Sequence, residues 1–216
     1  MHFIRRLVDD LRLPKQGKVL DLACGKGRHS RILHEHGYDV LGTDLSENSI
    51  SEARKFETEG LRFAVHDMRE VIPSEQFSAV FNLFTSFGYF DSEVENRQVI
   101  QAVSSMLDKQ GLFVIDFMNM YRVIDTLVEY EEKVVDGILF KIQRRFDGKH
   151  IFKNIQFTDN GTDHSYTERV QGLTLEDFER LLSDENFEIL RTFGDFDLNS
   201  YDKAKSDRLI IIAQKK

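Results

Sequence analysis

The sequence predicts an α/β fold: a doubly wound, mostly parallel sheet with an inserted antiparallel β meander. Three observations carry that reading. Apolar strand-like runs alternate with segments of helical periodicity through the first half of the chain. The first run enters a glycine turn, VLDLACGKGRHS, and an acid, Asp44, lies nineteen residues beyond Gly25. Later, three dipeptides of the tight-hairpin type, Asp136-Gly137, Asp147-Gly148 and Asn160-Gly161, punctuate alternating β-type runs.

Each element follows in order. Phe3, Ile4, Leu7, Val8 and Leu11 fall on one helical face, and Pro14 ends that helix. Val19 to Ala23 reads as the first strand. A helix begins near Gly27, turns Ile32 and Leu33 inward and stops at Gly37. Tyr38 to Thr43 is the second strand, with Asp44 at its end. Ser46 caps a helix holding Ile50, Ala53 and Phe56. Leu61 to Val65 forms the third strand, followed by His66 and Asp67. Ser78 to Phe84 is apolar on both faces except at Ser78 and Asn82, as a central parallel strand should be.

Val99, Ile100, Val103, Met106 and Leu107 set a helix over Val94 to Leu107, which Gly111 breaks. Leu112 to Ile115 is the fifth strand, ending at Asp116. Tyr121 to Val128 reads as a short helix. Ile138, Phe140 and Ile142 share one strand face, and Ile151, Lys153, Ile155 and Phe157 another. Three or four antiparallel strands are expected there. Thr174 then caps a helix with Phe178, Leu181 and Leu182, and Phe187 to Thr192 and Arg208 to Ala213 supply the last strands. The expectation is one domain over 1–216, with 121–172 as a β-rich lid.

Composition bounds the partners. Among 216 residues, 31% are charged and 41% hydrophobic, an ordinary globular balance. A formal charge of −8 argues against nucleic acid as the main partner, because phosphate neutralisation needs a basic face. Cys24 is the sole cysteine, so no internal disulfide forms, which suits the cytosol. The opening MHFIRRLVDDLRLP lacks the apolar run of a signal peptide. No apolar stretch reaches membrane-spanning length, and a cytoplasmic protein without membrane partners is expected. His29, His34 and His36 do not line up on one helical turn, so they read as surface or helix-end residues and no metal site is expected.

The glycine turn has rival readings. A P-loop needs Lys-Ser or Lys-Thr closing a longer loop, and none is present. A nicotinamide fingerprint wants Gly or Ala at position 30, where Ser30 stands, and lacks an acid four residues before its first glycine, where Asp21 stands. The pattern Asp-x-x-x-Gly-x-Gly puts an acid at the end of the first strand, facing the ligand. Asp44 alone could simply cap the following helix. With the glycine turn nineteen residues earlier, binding of ribose hydroxyls is the better reading.

The motifs DLACGKG at Asp21 to Gly27, GTDLS at Gly42 to Ser46, HDM at His66 to Met68, FSAVFNLFTSFGYF, LDKQGLFVIDF at Leu107 to Phe117, and RLIIIAQK at Arg208 to Lys215 recur in a fixed order. In that order the chain resembles the class I S-adenosylmethionine-dependent methyltransferases over nearly its whole length. The resemblance implies a seven-stranded sheet whose last strand is antiparallel. It implies that Ala23, Gly25 and Gly27 pass under the methionine part of the cofactor, with Asp21 near its amino group. Asp44 would hold both ribose hydroxyls and Leu45 would pack on adenine. Asp67 would accept from the adenine amino group, Met68 would donate from its backbone, and Asn82 and Leu83 would border the methionine moiety.

Methyl transfer from a sulfonium is an in-line displacement, served largely by positioning and exclusion of water. Ser86, Tyr89, Asp116, Asn119 and Tyr121 follow the fourth and fifth strands and are candidates to face the methyl, Tyr89 first among them; a core aromatic is its alternative. His66 is a weaker candidate for a base. The meander resembles the lids of small-molecule methyltransferases acting on amino sugars and on glycine, and the acidic total suits a cationic amine acceptor. In such enzymes a segment before the first strand folds over the cofactor. Here one short helix precedes it, so a more open pocket, or closure by another element or a partner subunit, is expected. Three readings stand: a small-molecule methyltransferase (with an RNA methyltransferase as variant), a cofactor-binding subunit without its own turnover, and a nicotinamide oxidoreductase.

Overall fold

The apolar runs are realised as two sheets. The computed structural model describes residues 2–15 and 17–216. Its first half comprises α1 His2–Leu11, β1 Lys18–Leu22, α2 Arg28–Glu35, β2 Asp39–Asp44, α3 Glu47–Arg54, β3 Leu61–Val65, β4 Phe77–Asn82, α4 Glu93–Met106 and β5 Leu107–Met118. The second half comprises α5 Met120–Asp125, β6 Tyr130–Val135, β7 Ile138–Phe146, β8 His150–Asp159, β9 Thr162–Gln171, α6 Leu175–Asp184, β10 Phe187–Phe193 and β11 Arg208–Lys215.

The seven-stranded sheet has the order β10-β11-β5-β4-β1-β2-β3. Only β11 runs against its neighbours. β1 lies between β2 and β4, so the winding direction reverses there, and a crevice opens at the carboxyl ends of β1 and β4. Helices cover both faces because side chains alternate along each strand. Leu20 and Leu22 of β1 join the core under α4 and α6, whereas Val19 joins the core under α1, α2 and α3. Central β4 is buried along nearly its whole length; Val80 and Phe81 are fully enclosed, each contributing about 1.5–3 kcal/mol of burial.

Caps fix the helix starts. The Ser46 hydroxyl accepts from Ser49 N at 3.2 Å. Ser92 with Glu95, and Thr174 with Asp177, form reciprocal capping boxes at α4 and α6. Several boundaries differ from the sequence reading; α5, for one, ends at Asp125 and not at Val128. α4 stops at Met106 and Leu107 goes straight into β5, pairing with Phe77; the ladder then skips to Ala79 opposite Leu112. Gly111 therefore lies in a strand irregularity and does not end the helix. Likewise β4 ends at Asn82, two residues early, because Phe84 and Thr85 turn into left-handed backbone at φ 59° and 61°.

The second sheet is a four-stranded antiparallel meander, β6-β7-β8-β9. Its hairpins close at Asp136-Gly137 and Asn160-Gly161, with positive φ at both residues of each pair. At the third hairpin the Asp147 carboxylate accepts from the backbone of Lys149 and His150. The sheet is fastened to the body through Gln171, which is 4% exposed. Its backbone donates to Gly88 O at 2.7 Å, its side-chain amide donates to Phe90 O at 2.8 Å, and its side-chain oxygen accepts from Asn96 of α4 at 2.7 Å.

Candidate active site

The glycine turn is built from three strands. Ala23, Gly25 and Gly27 all have positive φ, so the chain leaves β1 in a tight left-handed path that only a small backbone follows at low cost. Gly27 is doubly constrained: a Cβ there would lie 2.5 Å from the Phe63 ring of β3. Gly25 N donates to Asp44 Oδ2 at 2.8 Å, and Ser46 N donates to Asp44 Oδ1 at 2.9 Å. One carboxylate thus ties the turn to the end of β2 and also serves the start of α3. Asp44 does not itself cap α3, whose N-cap is Ser46; it holds the turn that leads into it, and each of its oxygens keeps a free lone pair.

Asp21 does not face the crevice. It shares a sheet face with Val19 and is 2% exposed, and Ser30 of α2 donates to its Oδ2 at 2.6 Å. Burial pushes its carboxyl up to about 6 against the opposing pull of the Ser30 hydrogen bonds. The serine that replaced a third small residue is therefore the partner of the acid. Cys24 is buried, and burial with the nearby carboxylates raises its thiol far from reactivity.

A cavity of about 590 Å³ opens beside this turn. Ala23, Asp44 and Leu45 line it from the first two strands, His66, Asp67, Met68 and Arg69 from the third, and Phe84, Thr85, Ser86, Tyr89 and Phe90 from the loop after β4. Leu45 is 68% exposed, an apolar surface standing at the rim. A carboxylate with lone pairs to spare, an exposed leucine beside it and a cavity of ligand size fit a nucleoside cofactor such as S-adenosylmethionine.

Two of the expected contact residues have their side chains elsewhere, and several other candidates are held by neighbours. Asn82 and Leu83 are buried, and their side chains do not line the cavity: the Asn82 amide donates to Leu22 O at 3.1 Å, and Leu83 packs in the core under α1–α3. Asp67 is clasped by Arg69, whose Nε lies 3.0 Å and 3.1 Å from its two oxygens. That clasp holds the Asp67 carboxyl below its ordinary value, and Arg69 also donates to Glu95 at 2.7 Å. The His66 ring donates to Glu70 O at 2.9 Å. Asn119 donates to Lys203 O and Ser206 O, and Tyr121 reaches Glu176; neither lines a cavity by the glycine turn. His29 is half-buried and stacks on Phe84 with ring centres 4.4 Å apart, and burial with nearby Arg28 lowers it to about 4. Phe84 also meets Phe3 of α1 and Phe196, so the first helix helps to enclose this wall.

The wall itself is strained and braced. Two consecutive non-glycine residues in left-handed backbone cost about 1–3 kcal/mol each. Asp116 at the end of β5 offsets this: its Oδ2 accepts from Phe84 N at 2.9 Å, and its backbone carbonyl accepts from Thr85 N at 2.9 Å. Arg208 of β11 donates to Asp116 Oδ1 at 2.8 Å and to Thr85 Oγ1 at 3.0 Å. Asp116 is therefore a brace within the wall. Burial raises its carboxyl even though Arg208 favours the charged form.

On the other side of that wall lies a second cavity, of about 320 Å³. It shares Phe84, Thr85 and Tyr89 with the first and is roofed by the meander through Arg144, Ile151, Lys153, Glu168 and Val170. Tyr89 is 48% exposed, and burial of its ring with Glu168 nearby raises its phenol, so it stays protonated at neutral pH. A further cavity of about 500 Å³ lies along the distal strands of the meander, around Leu139, Phe157 and His164. Among the described residues no group of three or more His, Cys, Asp or Glu could hold a metal ion, and no helix is long and apolar enough to cross a membrane.

Sequence reasoning missed the Asp67–Arg69 clasp, the left-handed wall and the charged roof. One signal was present: Lys153 interrupts the otherwise apolar face Ile151, Ile155 and Phe157.

A model of the methyltransferase domain matches residues 13–161. YqeM, a methyltransferase-family protein of Bacillus subtilis (strain 168), is 28% identical over 215 residues, covering 94% of this chain and 86% of its own. A glycine/sarcosine N-methyltransferase of Aphanothece halophytica is 28% identical over 212 residues, covering 92% and 76%. The crystal structure of an S-adenosylmethionine-dependent methyltransferase from Clostridium acetobutylicum ATCC 824 superposes with a TM-score of 0.86 at 22% identity, covering 99% of this chain and 89% of that one.

Proposed function

Because the chain belongs to the methyltransferase-domain family and has the fold of the S-adenosylmethionine-dependent enzymes, we propose that it methylates a small amine held under the β meander. The observation that carries this reading is the pair of cavities separated only by Phe84, Thr85 and Tyr89. One is the size of a nucleoside ligand, and the other is small and roofed. Such an arrangement suits direct transfer between two enclosed reactants. The name of the halophile relative, a glycine/sarcosine N-methyltransferase, supports a small amine acceptor.

S-adenosylmethionine, when bound, supplies a methyl group activated on a sulfonium. The chain's own residues then divide the work. The Ala23–Gly27 backbone makes room at the carboxyl end of β1. Asp44 accepts from ribose hydroxyls through its free lone pairs, and Leu45 covers one face of the base. Met68 offers backbone groups at the base edge, and Asp67, drawn tight by Arg69, accepts at the same edge. Tyr89 keeps its proton and so acts as a hydrogen-bond donor or wall; an amine that arrives neutral needs no base from the protein. The meander roofs the smaller cavity.

The test is calorimetric. Asp44→Ala should abolish measurable S-adenosylmethionine binding while circular dichroism retains the α/β spectrum. An affinity within a few-fold of the unsubstituted protein would refute the assignment.

A further inference from the structure

We propose that the acceptor carries an anionic group, a carboxylate or a phosphate, recognised by Arg144 with Lys153. This rests on the reading that the smaller cavity is the acceptor site.

Strand register places the charges. Arg144 of β7 lies directly opposite Lys153 of β8, and Lys153 lies opposite Glu168 of β9. The three form one row across the meander, on the face that roofs the cavity. Apolar rows flank it: Phe146, Ile151 and Val170 on one side, and Ile142, Ile155 and Tyr166 on the other. The row is not shut off from water: the side chains of Arg144, Lys153 and Glu168 are 23%, 34% and 48% exposed, so a ligand in the cavity can reach it. The charged residues of the opposite face, Lys141 and Arg145, are exposed and already supply solubility.

Within the lining the cations outnumber the anions, but each cation has a carboxylate partner. Arg144 and Lys153 are cationic, and Glu168 is the one anion among the lining residues. Lys153 Nζ sits 3.2 Å from Glu168. Arg144 turns outside the lining for its partner, donating through one terminal nitrogen to Glu131 at 2.7 Å and through the other to Val128 O at 3.4 Å. A guanidinium has five N–H donors, so these bonds leave donors free, and its planar fork suits the two oxygens of a carboxylate or phosphate. Glu131 and Glu168 balance the two cations, so what this wall offers an anion is the set of donors those bonds leave free, not an excess of positive charge. That offer reverses the expectation from overall charge: the total suggests a cationic acceptor, and the cavity selects an anionic substituent on it. A cavity of about 320 Å³ holds about ten water volumes, which fits a compact acceptor or the charged end of a longer one.

The experiment uses the full chain saturated with S-adenosylhomocysteine and three small primary amines: β-alanine, phosphoethanolamine and ethanolamine. Binding of each is read by ligand-detected NMR, and methyl transfer is followed separately with S-adenosylmethionine. At least one anionic amine should bind about tenfold or more tightly than ethanolamine; which one identifies the anion. Arg144→Met should remove that preference and Arg144→Lys should keep part of it. Arg145→Met, on the outer face, should leave it intact. S-adenosylhomocysteine affinity and melting temperature, unchanged across the set, show that the variants are folded. Equal binding of all three amines, no binding by any, or a preference that survives Arg144→Met overturns the proposal. Failure of S-adenosylmethionine itself to bind overturns the functional reading instead.

Discussion

Replacing Asp21 by asparagine should make the protein more stable at neutral pH and not at acid pH. Asp21 is enclosed beneath the glycine turn, 2% exposed, with one hydroxyl donor. Burial lifts its carboxyl from 3.8 to about 6. Below pH 3.8 the native and unfolded chains both hold the proton. As pH rises, the unfolded chain releases its proton first, and the native chain holds on until about pH 6. The native state therefore binds more protons across that window, and stability falls as pH rises through it. At 1.36 kcal/mol per pH unit, the interval amounts to about 3 kcal/mol. Asparagine has the same shape, can accept from Ser30 through its oxygen, and has no proton to lose. Urea denaturation at pH 3.5 and pH 7 should show the variant gaining about 3 kcal/mol over the unsubstituted protein between the two. That corresponds to roughly 6–12 °C in midpoint at pH 7 for a chain of this size. Parallel stability curves across the window would show that the carboxyl is solvated or paired by some other route, and would refute the reasoning.

Two further outcomes are expected. Gly27→Ala combines a left-handed φ with a Cβ 2.5 Å from the Phe63 ring, so it should cost about 2–4 kcal/mol in denaturation; a loss below 1 kcal/mol would mean that β3 yields at that ring. Tyr89→Phe should lower kcat/KM by about tenfold, the worth of one hydrogen bond, without changing S-adenosylmethionine affinity. Because burial and Glu168 keep the phenol protonated, the rate of the unsubstituted enzyme should stay flat from pH 7 to 9; a rising limb that Tyr89→Phe removes would make Tyr89 a base.

What the sequence made legible was whatever depends on local periodicity and on motif spacing. The succession of strands and helices, the caps at Ser46 and Thr174, and the hairpins at Asp136-Gly137 and Asn160-Gly161 all follow from residue type and neighbours. Asp44 could be placed because the glycine turn and the second strand have a fixed length relation. Asp21 was misplaced for a specific reason. Its position at a strand end suggests exposure, but the face it points to is set by alternation with Val19, which turns it toward α2. The Phe84–Thr85 wall was illegible because left-handed backbone there depends on braces from Asp116 and Arg208, distant in sequence. The charged roof needed cross-strand register, which hairpin lengths alone leave open at the third turn, where Asp147 folds the loop by side-chain bonds.

The anchoring of the meander bears on how an acceptor gets in. Gln171 grips the Gly88–Phe90 segment at two carbonyls and α4 at Asn96, so the root of the roof and the wall that parts the two cavities are one mechanical piece. A hinge at that root would tear the wall apart with every opening. The distal end of the roof is less enclosed: Val134 and Leu139 beside its first hairpin stand 65% and 43% exposed. On burial alone, local opening costs least at the tip of the roof and most at its root. Acceptor traffic then need not disturb the cofactor, and successive methyl transfers could proceed against a stationary partition.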